Sequence, residues 1–553
     1  MPSPGSVLTF TRPHTRKRET TRSAARYRPI SNRKISRRRF LSLNVGLEVL
    51  FMLSENPGNP ATSRAPLKHA DKLYIDGQWV APSTGTQLSV ISPHTEEVYV
   101  RVAEAGKDDI DRAVSAARRA FDSGPWPRMS HAERAGFMRA LADRLKDRVP
   151  DMAAIWPNEM GVTHAVAEAF MARIPGIYHF YADLGETFAF EEERKTSSGI
   201  GNGLLIREPV GVVGAIIPWN APAMIIAYKL APALIAGCTV IVKSSPEAPG
   251  MALIVAEAAE EAGIPPGVIN VVTADREASD ALVQNPGVDK ITFTGSSAVG
   301  KHIGGVMAQR VGRYTLELGG KSAAIVLDDY DVEVAAKALA SASCQMTTQV
   351  CASLTRIVVS RKHHDRLLDA LAAAYAAVKI GDPFDRETRM GPVATSRQRE
   401  RIEKYIAQGV ADGFTLATGG KRPAHLPRGF YLEPTVFGNV NNASALAQEE
   451  IFGPVLAVIP ADNEQHAVQI ANDSPYGLSG AVFTNDLDRA YAVARQVRTG
   501  TVAHNAFRND FSIAFGGFKQ SGIGREGGVE GLMPYLETKT VLLDGLPSHR
   551  TTR

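Results

Sequence analysis

VGVVGAII (210–217), CTVIVK (238–243), VINVV (268–272) and KITF (290–293) are four short, apolar runs rich in β-branched residues, the pattern of strands covered on both faces. The segments between them have helical length and helical punctuation. The first, 223–236, follows Pro222, whose missing N–H would be unpaired at a helix start in any case, and it stops at Gly237. The second, 247–262, stops at Gly263 ahead of PPG, and a third follows the turn at Gly295. Alternation of this kind predicts linked βαβ units around a parallel sheet.

Working outward, AAIVL (323–327), an Ala-rich helix over 332–346 and LTRIVV (354–359), with helices near Asp365 and Arg399, repeat the theme and predict a second α/β domain. Two segments belong to neither pattern. They are 196–207 and TKTVLL (538–543), whose exposed β-branched residues invite pairing with another chain.

The net charge of +4 is misleading until it is divided along the chain. Residues 1–51 hold 12 Lys/Arg against Glu19 and Glu48, leaving 50 basic and 56 acidic side chains in the remaining 502 residues. A mildly acidic body gives no electrostatic reason to expect nucleic acid or an anionic membrane as a partner. No run of 18 apolar residues occurs, and 40–53 is broken by Asn44 and Glu48, so no spanning helix is expected. The basic leader contains SRRRFLSLN (36–44), which resembles a twin-arginine export signal, while its Arg/Ser-rich character resembles a transit peptide. A disordered or non-native leader over 1–71 accounts for the same residues. Three cysteines are too few for a disulfide framework and fit a reducing, cytoplasmic compartment.

Of those thiols, Cys238 opens a buried strand and Cys344 lies within the Ala-rich helix. Only Cys351, in TTQVCASLTRIVV, stands at a helix-to-strand junction where a side chain can face a cleft. Here a family resemblance becomes specific. QVCASLTRIVV resembles the nucleophile segment of the aldehyde dehydrogenase superfamily, and ELGGKS (317–322) its base motif. PWN (218–220), VIVKSSPEAP (240–249), FTGSSAVG (293–300), EEIFGPVL (449–456) and FGGFKQSGIGRE (515–526) continue the likeness, which covers roughly 73–543.

The resemblance implies a Rossmann-like cofactor domain over 72–187 and 210–317, a catalytic α/β domain over 318–521, and a small β oligomerisation arm over 188–209 and 522–545. It implies a homodimer or homotetramer with a small-molecule aldehyde as substrate. Oxidising an aldehyde by hydride loss needs a tetrahedral alkoxide, which a thiolate adding to the carbonyl provides. Cys351 takes that role by resemblance, with the Asn220 amide and the Cys351 N–H as oxyanion donors. Glu317 is the implied base for thioester hydrolysis, followed by two glycines that let the chain turn. Lys229 completes the implied catalytic set, and no metal is expected.

For the cofactor, Gly295 and Gly300 follow a strand and open a helix, a phosphate-binding geometry in which the Ser296 hydroxyl and nearby N–H groups hold a pyrophosphate. A true G-x-G-x-x-G at Gly522, Gly524 and Gly527 has no strand before it and reads as a decoy. Lys243 resembles the family's adenosine-ribose ligand, Glu450 and Phe452 its nicotinamide-side residues, and Ile216, Pro218, Trp219 and Leu318 further cofactor contacts. Pro246 stands where many relatives carry an acidic residue favouring NAD, and Glu247 comes one later, so NAD and NADP both stay open.

Ala221, Ile225 and Tyr228 share one helical face, and by resemblance Phe515 approaches from the other side of a substrate channel. A channel with few large groups and no obvious charge points to a hydrophobic or aromatic aldehyde. Thr348 replaces a glycine common before Gln-x-Cys, and Ala514 replaces a proline common before FGG. A β-branched residue at 348 matters if positive φ is required there. Two other functions share these residues. A CoA-acylating enzyme would use the same thiol but has no need of Glu317, and a non-catalytic binding protein would be expected to lose the thiol, the base or the amide.

Overall fold

Strand Val212–Ile216 lies at the middle of an eight-stranded sheet, flanked by Thr239–Ser244 on one side and Lys290–Thr294 on the other in a computed structural model that describes residues 65–547. The order is Gly522–Ile523, Arg313–Glu317, Lys290–Thr294, Val212–Ile216, Thr239–Ser244, Ile269–Thr273, Leu73–Ile75 and Gln78–Val80. The five strands from Arg313–Glu317 to Ile269–Thr273 pair in parallel. Chain order reverses between Val212–Ile216 and Lys290–Thr294, which makes a topological switch point whose carboxyl edge is where open α/β sheets bind ligands.

The apolar runs form these strands because helices cover both faces. Val213, Val240 and Val271 are buried in the core with the Pro222–Ala236 helix, and Val212, Ile241 and Val272 in a second core on the other face. Helix Pro222–Ala236 begins on Pro222 and ends at Gly237, whose φ of +100° is the left-handed cap. The expected helix over 247–262 starts three residues later, at Gly250, because Pro249 occupies its N-cap. Its first N–H, that of Gly250, donates to Glu159 at 2.8 Å.

A seven-stranded sheet runs Thr415–Thr418, Thr435–Gly438, Val455–Ala461, Leu354–Ser360, Ser322–Val326, Ser479–Phe483 and Thr501–His504. Its Ala-rich helix spans Val332–Cys344, shorter than expected, because Met346, Thr347 and Thr348 all take φ between +51° and +57° and cannot continue it. The two orphan segments pair with each other. Leu536–Leu543 lies antiparallel to Asn202–Pro209, which also pairs with Glu191–Lys195.

The leader expectations for residues 1–51 lie outside the described residues. The proposed boundary at 71 is too late. The Lys68 N–H donates to Glu257 at 2.7 Å and Arg148 donates to the Pro66 carbonyl at 2.8 Å, so 65–71 are packed as part of the body. No helix of the described residues is long and apolar enough to cross a membrane.

Candidate active site

Two chain segments meet at Cys351. The residue follows the left-handed run 346–348 and precedes strand Leu354–Ser360, and the thiol packs in a cluster with Phe507, Phe511 and Phe515. Across from it, the turn after Glu317 comes so close that a Cβ on Gly320 would stand 2.4 Å from the Cys351 carbonyl oxygen. Glycine at 320 is therefore what lets the glutamate-bearing turn lie against the thiol-bearing one. Burial, with the Glu450 and Glu317 charges adding to it, pushes the Cys351 thiol well above its usual range. Cys238 and Cys344, the two thiols read as inert, are both buried and pushed up to about 12.

Glu317 is the last residue of strand Arg313–Glu317 and is 2% exposed. Neither carboxylate oxygen has a hydrogen-bond partner among the described residues. Burial holds its carboxyl well above the ordinary carboxylate range, the Glu526 charge adds to the rise, and Lys229 and Arg525 oppose it. A buried, unpaired carboxyl is costly to a fold, and such costs concentrate where a group must be free to react.

Asn220 follows strand Val212–Ile216 at the switch point and is buried. Its amide Nδ2 donates to the Gln349 carbonyl at 3.0 Å, and its own carbonyl accepts from the Trp156 indole at 2.9 Å. One N–H of the amide is thereby fixed and the other is free to point elsewhere. Gln349 in turn accepts from the Ala394 N–H at 3.0 Å.

Lys229, fully buried, forms a close ion pair with Glu526, itself 4% exposed, and donates to Thr292 at 3.3 Å. Sequence reading gave Glu526 no role of its own, and its partner is 297 residues away. The signal was its place at the end of FGGFKQSGIGRE. Of the three glycines of the G-x-G-x-x-G at 522–527, the first lies beside Glu317. Gly522 pairs with Glu317 in an antiparallel bridge, and a Cβ there would meet the Leu316 carbonyl at 2.1 Å.

On the cofactor side, Ile216 ends its strand opposite Lys243, and Pro218 and Trp219 follow half-buried. Trp219 meets Phe452 edge-on, ring centroids 5.3 Å apart. Lys243 is buried, donates only a 3.4 Å contact to the Ala274 carbonyl, and is brought down to about 8 by burial, against the pull of Glu247 and Asp275. Glu450 accepts from the Gly320 N–H at 3.1 Å, and burial raises it to about 7. Gly295 donates its N–H to the Glu317 carbonyl at 3.0 Å, so that group is not free for a phosphate. Ser296 caps helix Ser297–Gln309 by accepting from the Val299 N–H and is exposed. Gly300 is needed for packing, since a Cβ there would stand 2.4 Å from buried Leu318.

Of the channel residues, Ala221 and Phe515 are buried and Ile225 and Tyr228 half-buried. Phe511, missed in the sequence, stacks between two of them: its ring lies 4.4 Å from Tyr228 and 4.3 Å from Phe515. Tyr228, Phe511 and Phe515 thus form a stack of three rings where the sequence led us to expect few large groups. It also carries charge nearby, because Asp510 helps raise the Tyr228 phenol after burial.

The sequence profile of the aldehyde dehydrogenase family matches residues 79–541. The chain belongs to the aldehyde dehydrogenase family. Its relatives include the geranial dehydrogenase of Castellaniella defragrans, 42% identical over 86% of this chain and 98% of that protein. Among solved structures, an aldehyde dehydrogenase of Mycobacterium tuberculosis complexed with NAD+ matches at 42% identity and a TM-score of 0.83, over 86% of this chain and 98% of that one. A cysteine-to-alanine mutant of aldehyde dehydrogenase C of Pseudomonas syringae, in complex with NAD+ and octanal, matches at 37% and 0.82, over 86% and 97%. This aldehyde dehydrogenase therefore has the reaction class of its family, NAD(P)-dependent oxidation of an aldehyde to a carboxylic acid.

Proposed function

We propose that this enzyme oxidises hydrophobic or aromatic aldehydes to acids through a covalent intermediate on Cys351, with NAD+ as its usual acceptor. The observation that carries the reading is the packing of the thiol among Phe507, Phe511 and Phe515, within reach of the Tyr228–Phe511–Phe515 stack. An apolar chain or ring gains from burial against such a wall, and a flat substrate gains stacking as well. Two of the relatives, a geranial dehydrogenase and a protein in complex with octanal, are named for aldehydes of this class.

The chemistry follows from the residues. Burial favours the neutral forms of both the Cys351 thiol and the Glu317 carboxyl, so the resting site avoids placing two anions side by side. Once deprotonated, the Cys351 sulfur adds to the aldehyde carbon, and the free N–H of Asn220 with the Cys351 N–H receives the charge on oxygen. The nicotinamide cofactor, when bound, accepts the hydride that turns the thiohemiacetal into a thioester. Glu317, in its ionised form and with both oxygens unengaged, takes a proton from water as it attacks the thioester. Lys229 and Glu526, whose charges both act on Glu317, form a buried ion pair through which that proton can be passed on. Lys243, Glu450 and the N-terminus of helix Ser297–Gln309, all around the switch point, have the chemistry to hold a dinucleotide's ribose hydroxyls and phosphates. The eight-stranded sheet is the proposed cofactor domain, the seven-stranded sheet the catalytic one. The three-stranded sheet, with Leu536–Leu543 and Glu191–Lys195 as edges, is the proposed oligomerisation arm of a dimer or tetramer in the cytoplasm.

Steady-state NADH and NADPH formation across decanal, geranial, benzaldehyde, acetaldehyde and betaine aldehyde tests the reading, with Cys351→Ala and Glu317→Gln alongside. The expected order places the first three aldehydes ahead, with both variants inactive in turnover. A preference for acetaldehyde or for the cationic aldehyde would overturn the substrate class, and an active Cys351→Ala would overturn the mechanism. CoA-dependent release of the acyl group with an indifferent Glu317→Gln would replace hydrolysis by acyl transfer to CoA.

A further inference from the structure

A cavity of about 690 Å³ opens on the side of the seven-stranded sheet, between helices His164–Met171, Val332–Cys344 and His364–Ala376 and the loop that carries Thr388 and Gly391. None of the residues assigned above to thiol, base, amide, cofactor or channel lines it. Its volume is in the range of sites that hold small organic ligands. Three features define what would fit. The wall is made of small apolar side chains, chiefly Ala340, Ala370, Ala374 and Val166, which leaves a smooth slot for an unbranched chain. Lys337 and Arg389 stand on the lining, and among the described residues neither meets a carboxylate; Arg389 donates only to the Arg386 and Thr388 carbonyls. Glu333, the one acidic lining residue, is already held by Arg366 at 2.6 and 2.7 Å. Finally, Thr388 on the lining is 3% exposed and its hydroxyl is buried out of reach of that open space, so the head group of a ligand has the two cations to meet.

We propose that this cavity is a second binding site, for a medium-chain carboxylate, whose tail lies along the alanine wall and whose head meets Lys337 and Arg389. The charge decides between an acid and a neutral amphiphile, since two cations without a carboxylate in ion-pair contact among the described residues are complementary to a carboxylate. The site is also mechanically joined to the nucleophile. Gln345, Met346 and Thr347 form part of its wall, Thr347 donates to the Gly391 and Pro392 carbonyls at 3.1 and 3.2 Å, and Cys351 follows four residues later. Occupancy braces this left-handed run and so is felt at the thiol. The proposal does not depend on which aldehyde is the substrate.

Isothermal titration of the full chain with decanoate tests it, together with the rate at which iodoacetamide alkylates the Cys351 peptide. The expected result is saturable binding, tightening by roughly fourfold per methylene from hexanoate upward, and at least a twofold change in alkylation rate at saturation. Ala374→Phe, which fills the slot, abolishes both effects while leaving KM for the aldehyde unchanged. Lys337→Gln with Arg389→Gln, two surface changes that do not threaten folding, weakens decanoate at least tenfold but not decanol. Binding that survives Ala374→Phe, or that is lost on Phe515→Trp instead, would place the acid in the aldehyde channel and overturn the proposal. Decanol binding as tightly as decanoate would overturn the assignment of the charged head, and an unresponsive alkylation rate would remove the link to Cys351.

Discussion

The Asn220 amide donates to the Gln349 carbonyl at 3.0 Å, so the segment that follows the central strand of one sheet is tied to the loop that carries Cys351 ahead of a strand of the other. The bond uses one N–H and aims the second. Asn220→Ala is expected to lower kcat by about 10²–10³, the usual cost of losing one oxyanion donor. Rapid-quench or steady-state kinetics would check this. Substrate affinity should change far less than kcat, because the donor acts on charge that exists only during reaction.

Glu317 gives a signed pH dependence. Its carboxyl lies well above its ordinary value of 4.5 because it is buried, so between 4.5 and its raised pKa the folded state holds a proton the unfolded state has lost. Folding stability therefore falls as pH rises through that window. Glu317→Gln should remove this fall in a urea-denaturation series from pH 5 to 8. The same variant should flatten the rise of kcat with pH and let the acyl-enzyme accumulate, visible by mass spectrometry as an adduct on Cys351.

Lys229 and Glu526 are both buried, and each neutralises the other. Removing one partner leaves a charge stranded in the core at a cost of about 3–5 kcal/mol. Lys229→Met should therefore unfold at markedly lower denaturant than wild type, while Lys229→Met with Glu526→Gln regains much of the loss. Equal destabilisation of single and double variants would show that the pair is not coupled.

Thr348 sits at φ +57° and donates its hydroxyl to the Ser343 carbonyl at 2.5 Å. Two opposing effects meet there, an unfavourable backbone for a β-branched residue and a short buried bond. Thr348→Val keeps the strain and loses the bond, for an expected loss of about 1–2 kcal/mol. Thr348→Gly loses the bond but relieves the backbone, and should be closer to wild type in thermal unfolding.

Glu247 engages Ser245, pairs with Arg397 at 3.2 Å and pulls on Lys243. An anion at this edge repels a ribose 2′-phosphate. Glu247→Gln should raise the ratio of kcat/KM for NADP+ over NAD+ by at least tenfold, with Arg397 released to meet the phosphate. An unchanged ratio would mean that Pro246, one residue earlier, has moved the determinant elsewhere.

The parts of the site that the sequence made legible are those whose neighbours are local. Four apolar runs announced their strands because a strand buried on both faces has nowhere to place a polar residue. Glu317 and Cys351 were picked out by the resemblance of ELGGKS and QVCASLTRIVV to family motifs, with the glycines after one and the helix-to-strand junction at the other as weaker local signs. Glu526 was not, since nothing near it in sequence shows that its neighbour is Lys229. Phe511 was overlooked for the same reason: ring stacking between Tyr228 and Phe515 is a property of folded distance. Helix ends slipped where backbone conformation overrode composition, at Pro249 and at the left-handed run from Met346. The G-x-G-x-x-G at 522–527, set aside as a phosphate-binding motif for want of a preceding strand, has its first glycine against Glu317.

That last placement bears on how the protein comes into being. Gly516, Gly522 and Glu526 all border Glu317 or Lys229, yet they come after all the strands of the seven-stranded sheet and seven of the eight strands of the other. A nascent chain that already holds its thiol, its base and its amide still carries an uncompensated ammonium at Lys229 and an open flank beside the base. A chain that stops before Glu526 is therefore expected to lack the carboxylate that neutralises Lys229, and with it a settled core beside Glu317.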